Sequence, residues 1–186
     1  MADGTARSRL SDQDWVRAGF EVITDDGLGA LTVDRLCKRV GATKGSFYWH
    51  FTDMNGYRAA LIDAWATLRD EDRGQFEALD DLAPRDRLMV MMTALVSPRH
   101  WMLERAMREW ARSEPTVAAA VRAADRRVLT AVQRAFLDAG FGTEDADVRA
   151  GATFAAGLGF LHLAGSQPDS RSAAGRERFL DILLRP

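Results

Sequence analysis

Between Leu31 and Phe51 the sequence starts a helix, stops it and starts another within one short stretch. Thr32 carries an N-cap hydroxyl ahead of Val33, Leu36, Cys37 and Val40, which fall at helical spacing. Gly41 breaks that run, Thr43 caps the next, and Phe47 and Phe51 supply its apolar positions. Helices this short cannot stand alone in water, so each must be held by tertiary packing. Gly41 can take the positive φ that a tight inter-helix turn needs. Leu36, Val40, Phe47 and Phe51 can then meet, with help from the helix before them.

The rest of the chain reads as helix too. Ser11 caps a first helix with Trp15, Val16, Gly19, Phe20 and Ile23 in rhythm, ended by Gly27 and Gly29. Asp53 caps a long fourth helix with Leu61, Trp65, Leu68, Phe76 and Leu79 on one stripe. Pro84 opens a fifth that stops at Ser97-Pro98, and a sixth runs from Trp101 to Trp110. Glu114-Pro115 opens a seventh, which Gly140 and Gly142 close; Thr143 caps an eighth reaching about Ala164. Gly165 to Arg171 is turn-rich, and Ser172 starts a last helix with Phe179, Ile182 and Leu183. Sustained period-2 alternation is missing. We therefore expect an all-α chain of about nine helices. Residues 1–52 form a helix-turn-helix domain and residues 53–186 a second helical domain.

Composition bounds the function. With 47% hydrophobic and 28% charged residues in 186, the chain is globular. One cysteine, Cys37, allows no internal disulfide and reads as a small core residue. The first residues hold no apolar signal core, and no run approaches a membrane helix, so we expect a cytoplasmic protein away from membranes. The net charge is −2, yet Arg35, Lys38, Arg39, Lys44 and Arg58 face only Asp34 and Asp53 between Thr32 and Arg58. Five bases against two acids leave +3 locally, enough for a phosphate-facing surface.

The second of the two short helices turns Lys44, Gly45, Ser46, Tyr48, Trp49 and His50 outward, an odd set for a merely solvated face. DNA docking accounts for each. A helix start points N–H groups and a positive dipole end at phosphate. Gly45 permits close backbone approach, and Lys44 reaches a base edge or phosphate. Tyr48 and His50 donate to phosphate oxygens, and aromatic rings pack on sugars and thymine methyls. Thr32 and Thr43 add phosphate contacts to their capping role. A core or dimer contact is the bland alternative for Tyr48, Trp49 and His50. Phe47 and Phe51 already supply the buried positions. Arg7 and Arg9 lie in the polar first ten residues, which we expect to be disordered and not inserted into DNA.

These residues resemble the TetR family of bacterial one-component regulators. The resemblance rests on Thr32, Leu36, Gly41, Ser46, Phe47, Tyr48, His50 and Phe51, and is close from about Val16 to Leu61. It implies a homodimer on double-stranded, palindromic operator DNA, dimerised through its last two helices. It also implies a repressor released by a small-molecule inducer bound in the C-terminal domain. One position departs: where the family places a lysine at the start of helix 4, this chain has Met54.

The C-terminal domain offers weaker signals. Met89, Met91, Met92, Met102 and Met107 cluster with Trp101 and Trp110, which suits either an adaptable apolar pocket or an ordinary core. Trp65, Asp72, Met92, Trp101 and Trp110 are the candidate ligand residues. Asp72 falls on the apolar stripe of helix 4, where a carboxylate needs a partner. Arg69, Arg126 or Arg127 would serve, a frayed helix end would free it to water, and a pocket wall would let it select a cationic ligand. Gly151, Ala155 and Gly159 recur every four residues, fitting a subunit interface or tight packing on helix 7. His50, His100 and His162 lack metal-ligand spacing, and we find no catalytic constellation, cofactor motif or metal site. Two other readings stay open: a DNA-binding protein without inducer, and a helical ligand-binding protein or enzyme with no operator.

Overall fold

The computed structural model describes residues 10–77, 79, 81–95, 98–163 and 173–185. Side chains 72, 73, 75–77, 95, 98–100, 160, 161, 163 and 173 are outside that description. Nine α-helices and no strand occur among the described residues: α1 Asp12–Asp26, α2 Val33–Val40, α3 Lys44–His50, α4 Met54–Glu77, α5 Pro84–Leu95, α6 Pro98–Trp110, α7 Pro115–Asp138, α8 Thr143–Leu163 and α9 Ala173–Leu183. A single 3-10 turn, Leu28–Ala30, links α1 to α2. The chain divides into two compact units, Met1–Trp65 and Ala66–Pro186.

Local chemistry explains the boundaries of the first unit. Ser11 and Asp14 form a reciprocal capping box at the start of α1. Thr32 and Thr43 each accept, through Oγ1, a 3.3 Å hydrogen bond from the backbone N–H three residues on. Gly41 ends α2 in the left-handed region, φ 67° and ψ 37°, so that α3 can double back within three residues. Asp53 Oδ1 accepts from the N–H groups of Asn55 and Gly56 at 2.9 and 2.8 Å and starts α4.

The core of this unit is aromatic. Phe47, fully buried, holds the rings of Trp15, Phe51 and Tyr57 at 5.4, 5.4 and 5.3 Å between centroids. Leu36, Leu61, Ile62, Trp65 and the free thiol of Cys37 complete it. Burial pushes the Cys37 thiol above its ordinary range, with the charge of Asp34 adding to the effect.

The second unit is built around α5, α7, α8 and α9, with Leu88, Met91, Val132, Ala135, Phe136, Ala146, Ala150 and Leu180 buried together. Helix α7 packs along α8, and α6 adds buried Trp101, Met107 and Trp110. Arg87, nearly fully buried, pairs with Asp138 at 2.6 Å.

Three expectations need correcting. Helix α6 opens at Pro98 and not at Trp101, because proline's fixed φ suits a first helical position; α5 ends at Leu95, ahead of Ser97-Pro98 as expected. Thr143 is the first residue of α8 and not its cap; Ala146 donates to the Gly142 carbonyl at 2.9 Å. Among the described side chains of α4, Tyr57, Leu61, Ile62 and Trp65 are buried; Leu68 is 41% exposed, Leu79 lies past the helix end at Glu77, and the Phe76 side chain lies outside the described residues. Ser172 and the loop from Gly165 to Arg171 lie outside the described residues.

Candidate nucleic-acid interface

Helix α3 has one buried anchor, Phe47, and around it an exposed surface. Tyr48 and Trp49 are 55% and 65% exposed, a high value for rings of that size. Thr43, Lys44 and Gly45 are exposed beside them, and Ser46 is half-buried. A methyl group added to Gly45 would meet only Thr43 Oγ1, at 3.7 Å, so this backbone is open to a neighbour from outside. Thr32 is exposed at the start of α2. The helix-turn-helix thus brings Thr32, Thr43, Lys44, Gly45, Tyr48 and Trp49 to the surface of one unit.

His50 is placed differently. Its side chain is 5% exposed, and its Nδ1 lies 2.5 Å from Oδ1 of Asp12, the first residue of α1. The Trp49 ring sits edge-on to it at 4.7 Å.

The local charge is also more balanced than the sequence window implied. Arg35 donates to both carboxylate oxygens of Asp26, at 2.6 and 3.0 Å. Arg39 lies 2.8 Å from Asp25, 3.2 Å from Asp26 and 3.6 Å from Glu21. The hydrogen bond from Arg35 holds the Asp26 carboxyl below the usual carboxylate range, with Arg39 assisting. Two of the five bases therefore clamp α2 to the end of α1. Lys44 forms an exposed pair with Asp34 at 2.7 Å, and that hydrogen bond raises the Lys44 ammonium above its ordinary range.

The residues singled out as ligand and interface candidates are divided between the two units. Trp65 is 1% exposed and belongs to the first unit. Trp101 and Trp110 are buried in the second, with Met92 half-buried there. The Asp72 side chain lies outside the described residues. Of its expected partners, Arg127 pairs with Asp70 at 3.0 Å and Arg69 approaches Glu104 at 3.8 Å among the described residues. On α8, Gly151 and Gly159 are half-buried and Ala155 exposed. A Cβ added to Gly151 or Gly159 would meet nothing within 4 Å, so tight packing on α7 does not explain them.

One polar cluster was missed from sequence. Glu104, 5% exposed, accepts from Arg108 at 2.7 Å, and Arg108 also forks onto Asp125 at 2.5 and 3.1 Å. Burial alone would lower the Arg108 guanidinium, but the hydrogen bonds and charges of Asp125 and Glu104 outweigh it and raise it. Glu104 Oε2 and Trp101 Nε1 are buried with no hydrogen-bond partner among the described residues. The i,i+4 spacing of Glu104 and Arg108 was the available signal. Among the described residues no group of three His, Cys, Asp or Glu side chains could hold a metal ion, and no helix is long and apolar enough to cross a membrane.

Comparison with known proteins adds a lineage to this geometry. Residues 16–61 match the family model described as bacterial regulatory proteins, tetR family. The transcriptional regulator AcuR of Cereibacter sphaeroides is 34% identical over 85 residues, covering 46% of this chain and 39% of AcuR. The tetracycline repressor protein class C of Escherichia coli is 31% identical over 72 residues, covering 35% of this chain and 33% of the repressor. The chain thus spans well under half the length of these curated relatives. A crystal structure of a transcriptional regulator from a Rhodococcus species superposes with a TM-score of 0.76 at 23% identity, over 94% of both chains, which shows the shared fold. The helix-turn-helix segment is thus similar to that of the tetR family of bacterial regulatory proteins, and the chain as a whole shares the fold of a solved transcriptional regulator.

Proposed function

We propose that this protein is a homodimeric, sequence-specific DNA-binding regulator of transcription that acts in the cytoplasm and is not an enzyme. The observation that carries the reading is the exposed face of α3. Tyr48 and Trp49 stand in solvent beside Thr43, Lys44 and Gly45, on a helix fixed from beneath by Phe47. Aromatic area of that size costs free energy in water unless a partner covers it. A major groove with its flanking phosphates and thymine methyls matches the set. Thr32, Ser46 and His50 complete the proposed contacts.

Dimerisation would use the Gly151, Ala155 and Gly159 face of α8, which no described neighbour fills. A two-fold dimer reads a palindromic site with two copies of α3. One curated relative is a tetracycline repressor, and we propose repression released by a small molecule for this chain as well. Trp101 Nε1, buried with no hydrogen-bond partner among the described residues, favours a ligand-sensing second unit over a regulator without inducer, since buried polar atoms demand partners. Trp65, Asp72, Met92 and Trp110 remain candidate ligand residues.

The test is selection of duplexes from a random pool by the full chain, followed by gel shifts at fixed salt. Palindromic sites bound by the wild type and released by Trp49→Ala or Tyr48→Ala support the reading. Recovery of no preferred sequence overturns it.

A further inference from the structure

His50 ends α3, and Asp12 begins α1, yet Nδ1 of the one lies 2.5 Å from Oδ1 of the other. A carboxylate has only acceptor lone pairs, so the proton between them belongs to Nδ1. A neutral imidazole with its proton on Nδ1 presents a bare lone pair at Nε2. Phosphate oxygens are acceptors as well. The neutral ring, held this way, has nothing to donate to a DNA backbone; the doubly protonated ring can donate to Asp12 and to a phosphate at once.

We propose that Asp12 is a positioning residue of the DNA-reading surface. By holding Nδ1–H of His50 it makes that ring a phosphate ligand only in its charged form, so that DNA binding takes up one proton. This rests on the DNA-binding function proposed above. Asp12 itself is 71% exposed at the side chain and stands beside the capping box of Ser11 and Asp14 without belonging to it. Asp12 of α1 is the charged group paired with the ring, and the rings of Trp15, Trp49 and Phe51 stand around it. Lys44, the other base on α3, is turned to Asp34 of α2.

The experiment measures affinity of the full-length chain for its selected duplex from pH 5.5 to 8 at constant ionic strength. Wild-type affinity should fall as pH rises across this window, by up to about tenfold per pH unit for one linked proton. His50→Gln should flatten the profile. Asp12→Asn should flatten it too, yet bind at pH 8 at least as tightly as wild type, because the new amide can donate to Nδ1 and leave the proton on Nε2. A merely structural role for Asp12 would weaken binding equally at every pH. A flat wild-type profile, or an Asp12→Asn variant that keeps the wild-type slope, overturns the proposal. Imidazole nitrogen shifts of the DNA-free protein at pH 8 form a separate arm. A proton on Nδ1 supports the pair, and a bare Nδ1 overturns it without touching the DNA reading. If selection recovers no duplex, the DNA reading falls and this proposal with it.

Discussion

The hydroxyl of Tyr57 occupies the space that a side chain on Gly19 would need. A Cβ built on Gly19 would stand 2.1 Å from Tyr57 Oη, which donates a 2.7 Å hydrogen bond to the Trp15 carbonyl. Helix α4 is thereby locked to α1 at the base of the helix-turn-helix. Gly19→Ala should destabilise the protein by about 1–3 kcal/mol despite the better helix propensity of alanine, since the phenol must move from a buried site. Tyr57→Phe alone should cost about 1 kcal/mol. The double variant should cost less than the sum, because the colliding oxygen is gone. Urea denaturation of the four proteins checks this.

In the proposed DNA complex Asp34 would compete with phosphate for Lys44. The pair is exposed on both sides, so its effect on folding is small. Asp34→Asn should leave the melting temperature nearly unchanged and raise affinity for the selected duplex by roughly two- to fivefold. Gel shifts and thermal melts on the same variant separate the two effects.

Met54 is half-buried and is the first residue of α4, at the position where a lysine was expected. If that helix start lies beside the DNA backbone, Met54→Lys should add one phosphate contact. The log–log salt dependence of binding should then steepen by about 0.9. A lowered melting temperature with an unchanged slope would show that Met54 serves only to pack.

The Asp26 carboxyl is held below its ordinary value in the folded chain by the Arg35 hydrogen bond. Its folded value therefore lies under the unfolded one, about 3.9. The stabilisation is present above that pH and is lost as pH falls through the folded value. Asp26→Asn should lower stability at neutral pH and give a shallower acid limb below about pH 4. Chemical denaturation between pH 2 and 7 reads both.

Arg108 neutralises two carboxylates at once. Its side chain is 15% exposed and that of Glu104 6%. Arg108→Met should cost about 3–5 kcal/mol by stranding Glu104 and Asp125. Adding Glu104→Gln should recover part of the loss, because the charge left most deeply buried is then removed. Calorimetry of the single and double variants measures the coupling.

What could be read from sequence was what is decided within a few residues. Ser11, Thr32, Thr43 and Gly41 mark helix ends through chemistry contained in one turn. The start of α6 at Pro98 was missed because a proline that marks the stop of one helix can also open the next. Leu68 was misassigned because apolar spacing cannot tell which turn of a long helix finds a neighbour. The grip of Glu21, Asp25 and Asp26 on Arg35 and Arg39 depends on how α1 and α2 cross, and the local window excluded those acids. His50 looked outward by type, and only the return of α3 to the start of α1 brings it to Asp12. The Glu104 cluster needed α7 to arrive with Asp125.

The chain has a single thiol, and it is sealed beneath α2 at 7% exposure with its ionisation suppressed by burial. Alkylating reagents react with thiolates they can reach, so the folded helix-turn-helix denies them both conditions at once. Labelling of Cys37 can then proceed only through openings of α2 away from Phe47 and Trp15, and its rate counts those openings. The protein thus carries its own clock for the breathing of its reading head, readable by mass alone and without any added probe site.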